Sequence, residues 1–438
     1  MDRPSLSRLQ SRALVTLSII SLFWAETACA ALRAGAARVD ITPPVGVWLS
    51  GYGARKQPSS AVADPLYAKA LVIDDGENRI AIASIDLLWI PLEITKEIRK
   101  RVHKETGIPQ EHIMICGTHT HWGPKIDRPA ATWPDAVESS ISEDYVDVLT
   151  SRTALCIIQA AGKAADSQPV SVGVTTGHID EIIYNRRTLR PDGTVVNTFR
   201  LPPASAELTF GPKDPVVSIL KIQDLAARSV ASIINFACHP VTGDADPKLF
   251  YHISADYPGV VESIVEKIEG GTCLFLLGTA GNINPVRFKR SRFRHEIGTA
   301  LAGEVLRRLQ TVTTADDAKL KGMIRPIIFD LKPADGDKTE RAQRTLTTQI
   351  QLLTVGDIHI LGLPGEVLVE IGFAIREKAG ADNLFIVSIA NDTCGYVCHG
   401  EAYKQGGYES TSATRLAEGA GEHLIEQALA LIETMKPQ

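Results

Sequence analysis

Short apolar runs alternate along this chain with stretches whose apolar positions recur every three to four residues. These are the two periods of a half-buried strand and a core-facing helix. Residues 70–73 and 80–85 read as strands, with Gly76-Glu77-Asn78 as the hairpin turn between them. Leu92–Thr106 reads as a helix, because Ile94, Ile98 and Val102 fall four apart on one face. The pattern predicts further strands over residues 112–116, 216–222, 229–237, 273–277, 358–361 and 384–389. It predicts helices over 145–161, 257–268, 295–309, 367–379 and 413–435. This alternation points to an α/β fold of layered mixed β-sheets flanked by helices, forming a single catalytic domain over residues 31–438. No internal sequence repeat, low-complexity tract or Pro/Gly/Ser linker divides it.

Several predicted strands run into polar segments. Strand 80–85 meets Asp86, and strand 112–116 meets Thr118-His119-Thr120-His121. Strand 229–237 ends at Cys238-His239-Pro240, and strand 273–277 at Gly281-Asn282-Ile283-Asn284-Pro285. Strand 358–361 leads to Pro364-Gly365-Glu366, and strand 384–389 to Asn391-Asp392-Thr393-Cys394-Gly395-Tyr396. Ligands bind at the carboxyl edge of a parallel sheet, so these ends converge on one site if the strands are mostly parallel.

The first thirty residues carry a different pattern. Arg3, Arg8 and Arg12 precede an apolar run from Ala13 to Ala25, then Ala28-Cys29-Ala30. That order describes a signal peptide cleaved after Ala30, and therefore export to a periplasm or outside the cell. The run is shorter than the ~20 apolar residues that span a bilayer, and no later stretch is longer. Composition adds little: 44% hydrophobic and 22% charged of 438 residues is ordinary for a globular protein. A net charge of −5 argues against a nucleic-acid partner. Cys116, Cys238 and Cys273 lie in apolar runs as small buried hydrophobes, whereas Cys394 and Cys398 sit in a loop where a disulfide is open to them.

His119 and His121 are the sharpest chemical signal, since residues two apart at a strand end point the same way. His239 offers a third nitrogen and Glu366 a carboxylate. Three protein ligands and a water make the usual open zinc site. Histidines that serve only as hydrogen-bonded structural groups fit the same residues.

Asp40-Ile41-Thr42-Pro43-Pro44-Val45-Gly46, Gly51-Tyr52-Gly53 and Asp64-Pro65-Leu66-Tyr67-Ala68-Lys69-Ala70 open a series of blocks. Thr118-His119-Thr120-His121 with Gly123-Pro124, Asn185-Arg186, Asn235-Phe236-Ala237-Cys238-His239 and Pro364-Gly365-Glu366 continue it, and the segment from Tyr396 to Tyr408 closes it. In this order the blocks resemble the neutral/alkaline non-lysosomal ceramidases. The resemblance implies one Zn2+ per chain held by His119, His239, Glu366 and Tyr396. It places His121 and Arg186 against the substrate's polar head and Tyr408 as a donor to the developing oxyanion. It implies attack of zinc-activated water on the amide carbonyl of a lipid or smaller N-acyl substrate; His121, as a histidine whose unperturbed pKa lies near physiological pH, is the candidate to carry the proton. Two departures stand out. Asn284 occupies the position of a serine in the family's Gly-Asp-x-Ser-Pro pattern, and ceramidases continue into a C-terminal β-sandwich where this sequence ends. The competing readings are a metal-dependent amidohydrolase barrel acting on another amide or ester, and a non-catalytic binder that retains the metal or the pocket.

Overall fold

Three four-stranded sheets meet in one apolar core. The computed structural model describes residues 31–126, 143–203, 206–242, 247–286, 293–333 and 344–436, so the predicted leader lies outside the described residues. The first sheet joins Arg33–Asp40, Tyr67–Asp74, Arg79–Ile85 and Ile113–Gly117 in that order. The second joins Val170–His178, Val216–Asp224, Ser229–Phe236 and Thr272–Leu277. The third joins Leu320–Asp330, Thr345–Val355, Ile358–Gly362 and Asn383–Val387.

All three share one topology. The first three strands pair antiparallel, and the fourth pairs parallel with the third. In each case a helix lies between the parallel strands in sequence: Leu92–Thr106, Asp256–Glu269 or Val369–Ala379. A second helix follows the fourth strand: Glu143–Ala165, Phe293–Leu309 or Ala420–Met435. The sequence shows no internal repeat, yet the topology repeats three times. Strand pairing needs only the buried pattern, so the side chains can differ throughout.

Alternation builds the layers. In Arg79–Ile85, Ile80 and Ile82 enter the core shared by the three sheets, whereas Ala81, Ala83 and Ile85 face the first pair of helices. The other sheets divide the same way. Leu220 and Ile233 point inward while Ile219 and Ile234 meet the second helix pair, and Leu353 points inward while Leu352 meets the third. Burial on both faces is what removes strict polar alternation from these strands. Each fully buried Leu, Ile or Phe contributes about 1.5–3 kcal/mol. Helix Glu143–Ala165 sits close because Gly35 has no side chain; a Cβ there would collide with the backbone of Ala160 and Ala164.

Parallel pairing holds for the third and fourth strands of each sheet, which carry the polar termini, and not for the rest. Those ends are tied together across sheets. Gly117 N donates to Ile389 O at 3.1 Å, Asn391 N to Ile115 O at 2.7 Å and Ser388 N to Leu277 O at 2.8 Å. Asn235 Nδ2 donates to Leu276 O at 3.0 Å and Ile386 O at 3.1 Å.

Three expectations need correction. The last helix begins at Ala420 rather than at residue 413, because Gly419 takes a left-handed φ of 96° just before it and interrupts the helical period. Cys394 and Cys398 are free, buried thiols, and Cys394 Sγ points to Pro364 O at 3.5 Å. The amidohydrolase-barrel alternative fails, since the described sheets are open and none closes on itself. Cys116, Cys238 and Cys273 are buried as expected. No described helix is long and apolar enough to cross a membrane.

Asn235→Leu removes the side chain that stitches the second sheet to the third. It should lower unfolding stability by roughly 2 kcal/mol, the penalty for leaving a buried carbonyl unpaired. Urea denaturation measures this, and an unchanged midpoint would show that the stitch contributes nothing.

Candidate metal centre

His119 stands two residues beyond Ile113–Gly117, His239 three beyond Ser229–Phe236 and Glu366 four beyond Ile358–Gly362. One side chain thus comes from the end of each sheet. His119 donates its Nδ1–H to Leu88 O at 2.8 Å, and His239 its Nδ1–H to Ala280 O at 2.7 Å. Because a carbonyl only accepts, both rings carry their proton on Nδ1, which leaves a bare lone pair on each Nε2. Those two Nε2 atoms lie 3.0 Å apart. Glu366 Oε2 lies 3.3 Å from one and 3.1 Å from the other, buried and with no hydrogen bond of its own.

Three acceptors at this spacing, with no proton between them, repel unless a cation joins them. Four ligands at about 2.0–2.1 Å in a tetrahedron have edges of about 3.3–3.4 Å, close to the separations found. The donor set therefore fits a zinc-sized ion. Protonation states agree. Burial, with Arg186 next, lowers His239 to about 4, and burial, with His119 and His239, pushes His121 well below its ordinary value. Both imidazoles are therefore neutral, the form that binds metal. Burial works to raise Glu366, but the positive charge and hydrogen bonds that His119 and His239 offer when protonated outweigh it, so a cation at this point holds the carboxyl well below its usual range.

Tyr396 closes a fourth side. It pairs with Glu366 in a short parallel ladder between Glu366–Val367 and Tyr396–Val397. Its hydroxyl accepts from Arg186 Nη2 at 2.9 Å and bonds to the Glu366 carboxylate. Gly365, at φ 77°, permits this turn, because a Cβ there would strike Gly395 O.

His121 enters the site, but not through strand alternation. His119 adopts a left-handed φ of 67°, so the chain has left extended geometry before His121 is reached. The two rings stand perpendicular with centroids 5.0 Å apart. His121 donates its Nδ1–H to Gly51 O at 3.0 Å, and its buried Nε2 has no partner. The three histidines present ligand nitrogens within 4.8 Å of one another.

Arg186 organises the remaining wall. Nε donates to Glu409 Oε1 at 2.8 Å, Nη1 to Asn284 Oδ1 at 3.2 Å, and Nη2 also to Gly281 O at 2.8 Å. Asn284 is buried in the short ladder Ile283–Pro285 against Ile183–Asn185. Tyr408 packs edge-on against Tyr396 at 5.7 Å, with Phe199 on its other side, also at 5.7 Å. Burial, then Glu366, raises the Tyr408 phenol, so it stays protonated and able to donate.

All eight predicted site residues are thus gathered, directly or through Arg186. Asp86 and Asp392 are not, although they follow strands in the same way. Asp86 accepts from Tyr67 N and Thr118 Oγ1, and Asp392 accepts from Leu92 N and Thr348 Oγ1. Sequence reasoning missed Glu409, Arg187 and Asn197. The adjacent Arg186-Arg187 pair was the only available signal, since two buried guanidiniums need an acid nearby.

An open, layered α/β fold with an acceptor-lined centre at its strand ends defines a candidate metallohydrolase. The chain matches the family described as neutral/alkaline non-lysosomal ceramidase, N-terminal, over residues 32–274. That is more than half of the chain, which therefore belongs to this family. It is 32% identical over 124 residues to the neutral ceramidase of Drosophila pseudoobscura pseudoobscura, covering 27% of this chain and 17% of that protein. It is 25% identical over 253 residues to neutral ceramidase B of Dictyostelium discoideum, covering 56% and 32% respectively. These matches thus span less than a third of either relative's length. The crystal structure of neutral ceramidase from Pseudomonas aeruginosa superposes with a TM-score of 0.72 at 19% identity, covering 93% of this chain and 76% of that one. That likeness is one of fold.

His239→Ala should abolish metal binding, because it deletes a nitrogen at the centre. Elemental analysis of zinc-loaded protein should find about one zinc per wild-type chain and none in the variant. Retention of zinc at full stoichiometry in His239→Ala would disprove the ligand set.

Proposed function

We propose that this protein is a zinc-dependent hydrolase that cleaves the amide bond of an N-acyl substrate, ceramide-like or smaller. The observation that carries the reading is the convergence of His119, His239 and Glu366 as three acceptors with no donor among them. Family membership supplies the reaction class. A similar fold is that of a ceramidase complexed with C2, at a TM-score of 0.72 and 18% identity.

His119, His239, Glu366 and Tyr396 would hold the ion. Bound zinc supplies Lewis acidity, lowering the pKa of water towards ~7 and polarising a carbonyl. The chain's own residues do the rest. Asn284 has no hydroxyl, so an acyl group cannot be transferred to that position, and water remains the nucleophile. His121 Nε2 is a neutral, unpartnered acceptor inside the site, placed to take the proton from that water and return it to the departing amine. Tyr408, still protonated, donates to the developing oxyanion. Arg186 keeps Tyr396 and Asn284 in place, and it faces the substrate's polar head.

Tyr408→Phe should keep zinc at full stoichiometry and lower kcat by about 10²-fold, the usual effect of losing one oxyanion donor. The assay is release of fatty acid from a panel of N-acyl amines that includes ceramides of several chain lengths. Bound zinc with no turnover of any amide or ester in the wild type would instead favour a non-catalytic binder.

Export is part of the proposal. It rests on the basic, apolar and small-residue order of residues 1–30. Mass spectrometry of protein recovered outside the cytoplasm should give a mature N-terminus at Ala31. An intact N-terminus on cytoplasmic protein would refute export.

A further inference from the structure

Glu409 is fully buried and makes two ion pairs, to Arg186 Nε at 2.8 Å and to Arg187 Nη1 at 3.0 Å. It also accepts from Asn197 Nδ2 at 2.6 Å on the same oxygen that meets Arg187. Asn197 in turn uses its Oδ1 to accept from the backbone N–H of Tyr408 at 2.6 Å. One carboxylate therefore touches both sides of the site. Through Arg186 it governs the hydroxyl of Tyr396 and the amide of Asn284. Through Asn197 it fixes the backbone at Tyr408.

The geometry makes this connection directional. A guanidinium is a rigid planar fork, so fixing Nε by an ion pair fixes where both Nη atoms point. Arg186 spends one edge on Glu409 and the opposite atoms on Tyr396, Gly281 and Asn284. No other described acid reaches Arg186 in an ion pair. If Glu409 loses its charge, two adjacent buried guanidiniums are left without a counter-ion, and Arg186 loses the contact that orients it. Arg187 serves as the second anchor. Its Nη2 donates to Gly406 O at 2.9 Å and Ala402 O at 3.3 Å, pinning the segment that presents Glu409 and Tyr408.

We infer that Glu409 is a positioning residue for both tyrosines of the site, acting on Tyr396 through Arg186 and on Tyr408 through Asn197. It touches neither the metal ligands nor the space between them. The inference rests on the reading of this site as a zinc amidase.

The test compares wild type, Glu409→Gln, Glu409→Asp, Arg186→Lys and the double variant Glu409→Gln/Arg186→Lys. Each is measured for cooperative thermal unfolding, zinc affinity by chelator competition, and kcat and KM on the best N-acyl substrate. Glu409→Gln should remain folded, weaken zinc by about 10-fold or more and lower kcat by about 10–100-fold, the usual range for a residue that orients a ligand. KM should change much less than kcat. Glu409→Asp, which keeps the charge on a shorter arm, should recover part of kcat. In zinc affinity the double variant should be no worse than Arg186→Lys alone, because both substitutions break the one path that reaches Tyr396, whereas kcat should fall further through the separate Asn197 path to Tyr408.

Additive losses of zinc affinity in the double variant, or a fall in kcat that matches a fall in folded protein, would overturn the inference. If wild type binds zinc but cleaves no amide, the proposed reaction fails while Glu409 is still judged by zinc affinity. Weaker binding in Glu409→Gln that Arg186→Lys does not deepen supports the inference, and unchanged binding defeats it. A wild-type chain that takes up no zinc would overturn both.

Discussion

Two imidazole lone pairs and a carboxylate oxygen held within 3.3 Å of one another are the constraint around which this molecule is organised. Such an arrangement is repulsive on its own, and no local structure would produce it. It survives because each group is gripped from behind. Leu88 O and Ala280 O fix the two rings, and Tyr396 holds the carboxylate. His119 even accepts a left-handed backbone, which costs a non-glycine residue about 1–2 kcal/mol. Strain of this kind persists only where the surroundings over-determine it.

The threefold topology explains how three distant segments are brought to one point. In each sheet a helix carries the chain back so that the fourth strand runs parallel to the third, and both strands therefore end on the same side. Had the third and fourth strands been antiparallel, their polar termini would lie at opposite ends of the sheet. The inter-sheet bonds from Gly117, Asn391, Ser388 and Asn235 then bring the three sets of termini together. The spacing of the three acceptors is thus a consequence of strand direction, and rigid strands and helices hold it better than loops alone would.

The sequence made part of this legible and hid the rest for identifiable reasons. Helix Leu92–Thr106 was readable to the residue, since its apolar face and the Gly107 stop agree. The strand Arg33–Asp40 was not anticipated. Its RAGAARVD pattern is rich in alanine and arginine, and its small residues matter only because a helix packs on them. Leu320–Asp330 and Thr345–Val355 were also missed. Pro326 and the polar alternation of the latter obscure two long paired strands that make up half of the third sheet. His119, His239 and Glu366 could be found because strand ends and ligand chemistry both mark them. Tyr396 and Tyr408 stood out only through family resemblance, because a tyrosine in a loop carries no spacing signal. Glu409 was invisible, as its role exists only once burial has removed Arg186 and Arg187 from water.

Charge accounting gives the site its last feature. Glu366 and Glu409 carry two negative charges that balance Arg186 and Arg187, while His121 and His239 stay neutral. Arg55 adds a further positive charge beside His121. It is buried against the rings of Tyr52, Trp122 and Phe250 and, among the described residues, donates to the carbonyls of Ser50, His121 and Phe250. Among these named groups three guanidiniums face two carboxylates, and a dication adds to that positive charge. In a buried site, where screening by water is weak, that excess opposes a cationic substrate group and favours charge developing on a carbonyl oxygen. Such electrostatics suit acyl transfer to water, in which negative charge appears at the carbonyl before the amine departs.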